Sequence, residues 1–122
     1  MIKRLSKVVV FVSNLQEAVE WYREKLLIEP ETVTPGYAVF NLGGCRLLLS
    51  HGGERVPPKD PSRDLFPLAV ITSDNINEDY QRMVTNGVKF STPPQQTDWG
   101  STSAIFYDLD GNRLMLAEDE GD

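Results

Sequence analysis

Apolar residues recur along the chain in blocks whose period changes from two to about 3.6 and back. Residues 5–13 contain the run Val8-Val9-Val10-Phe11-Val12, with β-branched side chains on both parities. Such a run predicts a strand with both faces covered. Asn14 follows as an N-cap, with Glu17 at the capping-box position. Leu15, Ala18, Val19, Tyr22 and Leu26 then share one helical face, so the spacing predicts an amphipathic helix over 15–27. A short strand is expected at 31–34, a turn at Pro35-Gly36, and a hairpin whose arms are 37–42 and 46–50, around Gly43-Gly44.

The same order then returns. Residues 66–72 predict a strand, and Asn75 caps a second helix with Glu78 at the matching position. Ile76, Tyr80, Met83 and Val84 form its inward face, and Gly87 fits its end. A short strand at 88–91 meets the breaker Pro93-Pro94, and 95–100 is a loop holding Trp99. Strands at 102–109 and 112–118 flank Asp110-Gly111, which suits a two-residue turn with positive φ angles. An offset of 61 aligns Asn14 with Asn75, while 67 aligns Leu42, Gly44, Arg46, Leu47 and Leu49 with Leu109, Gly111, Arg113, Leu114 and Leu116. The chain is therefore an internal repeat of strand, helix, strand, strand, strand. Units 5–50 and 66–118 are joined by a Gly- and Pro-rich linker, 51–65, in one domain, with about six extra residues expected in the 95–100 loop.

Composition narrows the function. The 122 residues carry a net charge of −6, which argues against nucleic acid or an anionic membrane as partner. The acidic end, Glu118-Asp119-Glu120 with Asp122, reads as a solvated, frayed tail. Cys45 is the single cysteine, no signal-peptide core is evident, and no apolar run approaches the ~20 residues of a membrane span. A cytoplasmic protein is expected. His51 is the single histidine, which limits imidazole and metal chemistry.

Two βαβββ units ending in Asp108-Leu109-Asp110-Gly111-Asn112-Arg113-Leu114-Met115-Leu116 resemble the vicinal oxygen chelate superfamily of glyoxalase I, bleomycin resistance proteins and extradiol dioxygenases. Val12-Ser13-Asn14-Leu15, Trp21 to Leu26 and Trp99-Gly100 match further pieces of that pattern. The resemblance implies an α+β fold in which two βαβββ modules form a cupped half-barrel sheet, with helices on the convex side, and chains pair as homodimers. In the enzymes of the family a divalent metal sits in the cup on His, Gln and Glu side chains of the first and last strands. Those positions correspond here to Lys7, Leu48, Leu68 and Met115. Three offer no useful donor and the fourth is a cation, so no metal and no other cofactor is expected.

Period two then predicts the cup lining. Lys7, Val9 and Phe11 share one face, Arg46, Leu48 and Ser50 another, Leu68, Val70 and Thr72 a third, and Arg113, Met115 and Ala117 a fourth. The wall is mostly apolar, with Lys7 as a candidate holder of a ligand's anionic group. Trp99 is a candidate stacking residue beside the cup. Arg46 and Arg113 are weaker candidates to hold an anion. His51 without an evident carboxylate partner reads as a surface residue, and Cys45 as a small residue rather than a nucleophile. The ligand-binding set is thus Lys7, Val9, Phe11, Leu48, Leu68, Trp99 and Met115, with no catalytic residue. The expected function is metal-free binding of an aromatic or amphipathic small molecule, by sequestration or sensing, with the acidic surface favouring cationic compounds. The competing readings are a metal-dependent lyase or dioxygenase, and a structural or regulatory dimer with a vestigial pocket.

Overall fold

The structure, a computed structural model, describes residues 1–52, 67 and 69–119. The chain divides into two compact units, Met1–Arg55 and Val56–Asp122. The first contains β1 (Lys7–Val12), α1 (Leu15–Leu26), β2 (Thr32–Val33), β3 (Tyr37–Leu42) and β4 (Cys45–His51). Its sheet runs in the order β1-β4-β3-β2, with β1 parallel to β4 and the other pairs antiparallel. The second contains β5 (Val70–Thr72), α2 (Ile76–Thr85), β6 (Lys89–Gln96), β7 (Ser101–Tyr107) and β8 (Arg113–Asp119), in the sheet order β5-β8-β7-β6. Each unit is therefore the expected βαβββ module, and the class is α+β.

Both helices start as their caps dictate. The Asn14 side-chain oxygen accepts from the Glu17 amide at 3.0 Å, and that of Asn75 from the Glu78 amide at 3.1 Å. Each bond satisfies one of the amides that a helix start leaves without a partner. The ends differ. Gly87 takes the positive φ that closes α2, whereas Leu27 is forced to φ 55° after α1.

Each helix covers one face of its own sheet. In the first unit Ala18 and Tyr22 of α1 are fully buried, with Val10, Val12, Ala38, Phe40 and Leu49 of the strands. The Tyr22 and Phe40 rings lie 6.1 Å apart. In the second, Ile76 and Met83 of α2 are buried with Ala104, Phe106, Leu114 and Leu116, and Tyr80 meets Phe90 edge-on at 4.6 Å. Val84, expected inward, is instead exposed, because Met83 already takes the place that faces the sheet.

Several other expectations change. The hairpins are not built alike. Leu42 pairs with Cys45 across a two-residue turn in which Gly43 and Gly44 both have positive φ. Tyr107 pairs with Arg113, so the second connection has five residues, and only Gly111 has positive φ. Asp108 organises that loop. One carboxylate oxygen accepts from the amides of Asp110 at 2.8 Å and Asn112 at 2.9 Å, and the other from the Asn112 side chain at 2.9 Å. Counted between the matched pairs Asn41–Arg46 and Tyr107–Arg113, the second connection is one residue longer, five against four, and this shifts the repeat. Phe40 matches Phe106, 66 residues on, rather than Tyr107, and both phenylalanines face their helices. The other added residues lie between α2 and β7.

Pro93-Pro94 does not stop a strand. β6 runs through both prolines because it is an outer strand, where a missing amide on the free side costs no ladder bond. Its register to β7 slips between Phe90 and Thr92 and again between Thr92 and Gln95. Bulges of this kind accommodate the prolines, and the Thr92 hydroxyl accepts the Ile105 amide at 3.0 Å where the ladder is interrupted. Glu118 is not frayed. It lies in β8, and its carboxylate accepts from the Ile76 amide at 2.9 Å, where a helix N-terminus favours negative charge. Residues 53–66, Leu68 and 120–122, with most of the expected linker, the start of the fifth strand and the rest of the acidic tail, lie outside the described residues.

Candidate ligand-binding face

Strand alternation puts Val10 and Val12 against α1 and turns Lys7, Val9 and Phe11 to the other side of the sheet. Residues paired across strands point the same way, so the register builds that second face row by row. Lys7 lies beside Arg46, which lies beside Asn41. The next row is Val9, Leu48 and Val39, and the third is Phe11, Ser50 and Tyr37. The face therefore grades from polar through aliphatic to aromatic.

It is not covered on both sides as the apolar run of β1 suggested. Val9 remains 43% exposed, Phe11 58% and Tyr37 41%. Large apolar side chains left in water cluster here because α1 covers only one side of the sheet. Phe11 also packs near Gly52, where an added Cβ would meet the ring at 3.5 Å. Arg46 is committed to Glu31, with contacts of 3.1 and 3.4 Å. The Lys7 side chain is exposed and has no hydrogen bond or ion pair among the described residues.

The corresponding face of the second unit has a different character. Arg113, Met115 and Ala117 alternate with the helix-facing Leu114 and Leu116, yet all three are buried. The Arg113 guanidinium lies 5.3 Å from the centre of the Tyr107 ring. Val70, opposite Met115, is exposed. Trp99 stands at the tip of the β6–β7 turn and is 67% exposed. Thr97 and Ser101 close that turn through a 2.9 Å backbone bond, with Gly100 at φ 88°.

Of the expected site residues, Lys7, Val9, Phe11 and Leu48 share one face of the first unit. Met115 and Trp99 belong to the second unit, and Leu68 lies outside the described residues. The lining by Tyr37, Val39 and Asn41 was missed. The Gly43-Gly44 turn held the signal, because pairing Leu42 with Cys45 sets Tyr37 opposite Ser50. His51 ends β4 on the surface, and Cys45 is a half-buried free thiol opposite Leu42.

Two βαβββ modules in one chain, the first with an apolar sheet face open to solvent, define the class of fold. Residues 4–116 match the family model described as the Glyoxalase/Bleomycin resistance protein/Dioxygenase superfamily, and the chain belongs to that superfamily. It is 33% identical over 121 residues to the metallothiol transferase FosB of Staphylococcus haemolyticus, covering 95% of this chain and 84% of that one. It is 30% identical over 130 residues to the uncharacterized protein YetH of Bacillus subtilis, covering 97% and 100%. Among solved structures it resembles TnmS3, an antibiotic binding protein from Streptomyces sp. CB03234, with a TM-score of 0.77, 22% identity and 98% of each chain covered.

The positions that the family uses for metal do not fit one here. Lys7 brings an ammonium, Leu48 a hydrocarbon branch and Met115 a buried thioether. Among the described residues no three His, Cys, Asp or Glu side chains come together as a metal-holding group. No helix among them is long and apolar enough to cross a membrane.

Proposed function

We propose that this protein is a metal-free binding member of the superfamily that sequesters or senses an aromatic or amphipathic small molecule. The observation that carries the reading is the graded sheet face, with Val9, Phe11 and Tyr37 open to solvent beside Lys7. An apolar wall with a few polar points is what such ligands need. In the proposal the chain works as a single domain and a homodimer in the cytoplasm. TnmS3, an antibiotic binding protein, supports the reading by analogy of fold.

The name of the FosB relative favours a second reading, metal-dependent thiol transfer. The donor set at Lys7, Leu48 and Met115 weighs against it. Elemental analysis of the purified protein, with a thermal-shift screen of aromatic compounds before and after chelation, separates the two. The proposal expects stabilisation by a compound that chelation leaves unchanged. A stoichiometric divalent metal, with ligand stabilisation abolished by chelator, would overturn it.

A further inference from the structure

We propose that the ligand is an aromatic anion, held with its ring between Phe11 and Tyr37 and its negative group at Lys7. This rests on the ligand-binding reading and adds the ligand's charge and orientation. The aromatic row supplies the slot. Phe11 and Tyr37 flank Ser50 on adjacent strands, so their backbones stand roughly 10 Å apart, at two strand spacings of about 4.8 Å. That separation admits one planar ring between two aromatic side chains, and the small Ser50 side chain leaves the floor of the slot clear.

The aliphatic row comes next, and a short hydrocarbon link would lie on Val9, Leu48 and Val39. The polar row ends the path. Arg46 is neutralised by its forked contact with Glu31, which leaves the Lys7 ammonium as the cation of that row. Lys7 and Phe11 lie four residues apart on one strand, a run of about 13 Å that the lysine side chain shortens. The net charge of −6 pulls the other way and would favour cationic compounds. Its field is screened over about 8–10 Å at ordinary salt, so the group in contact decides the preference.

The test uses 4-(2-naphthyl)butanoate, its primary amide and 4-(2-naphthyl)butylamine, titrated at low salt and followed by backbone NMR. The expected result is that all shifts centre on Val9, Phe11, Tyr37 and Ser50, and that the acid binds about fivefold more tightly than the amide, as befits an exposed ion pair. Lys7→Gln should bring the acid down to the affinity of the amide and leave the amide unchanged. Tyr37→Ala should weaken both alike. Equal binding of acid and amide, tighter binding of the amine, or a preference that survives Lys7→Gln would overturn the anion assignment and leave the binding face standing. If none of the three compounds moves those resonances, the binding face falls with it.

Discussion

Asp108 offers the sharpest test of how the second hairpin is held. Replacing it with alanine removes three hydrogen bonds at once. The bond from the Asp110 amide is buried, and the bonds from the Asn112 amide and side chain are partly buried. Taking about 2 kcal/mol for the buried bond to a charged acceptor and about 1 kcal/mol for each of the others gives a loss of about 4 kcal/mol. Asp108→Asn separates the contributions. An amide oxygen still accepts both backbone donors, but its nitrogen faces the Asn112 side-chain nitrogen and loses that bond, for a cost of about 2 kcal/mol. Urea unfolding followed by circular dichroism measures both, and hydrogen exchange at the Asp110 and Asn112 amides reports the loop directly. If both variants stay within about 0.5 kcal/mol of the parent, as ordinary surface substitutions do, the carboxylate does not organise the loop. If asparagine costs as much as alanine, the backbone bonds are not the main term.

Other substitutions probe other parts of the fold. Leu27→Gly should stabilise the protein by about 0.5–1 kcal/mol in thermal melts, because it relieves an exposed leucine at φ 55°. Phe40→Ala and Phe106→Ala should each cost about 3–5 kcal/mol in urea unfolding, as both rings are fully buried in their modules. Glu118→Ala should cost about 1 kcal/mol by loss of its bond to the Ile76 amide, and Glu118→Gln should recover part of that, with the difference shrinking in salt.

Much of the architecture was legible in the sequence because it rests on local rules. Asn14 and Asn75 announced the helices by their capping chemistry, and the structure shows the bonds. What sequence reading missed depends on neighbours. Asp110-Gly111 looked like a two-residue turn, but Asp108 gathers amides from two residues and holds a longer loop. Pro93-Pro94 looked like a stop, and only its outer position in the sheet makes it tolerable. A regular offset of 67 would carry Phe40 onto Tyr107 and hides the one-residue shift that makes Phe106 its counterpart. The candidate face was half legible. Alternation gave Lys7, Val9, Phe11 and Leu48, but Tyr37, Val39 and Asn41 needed strand register, which the two-glycine turn supplies.

The outer strands bear on how such a protein survives its work. One border of the first sheet is a strand of two residues, and one border of the second is interrupted by two prolines; β1 and β5 form the opposite borders. Short or proline-bearing borders give a foreign chain little to hydrogen-bond to. A binder that removes its ligand one-for-one must accumulate to the ligand's own concentration. At such loads the hazard is precipitation of the protein itself, and under the proposed function the two blunted borders leave β1 and β5 as the edges through which a foreign chain would pair.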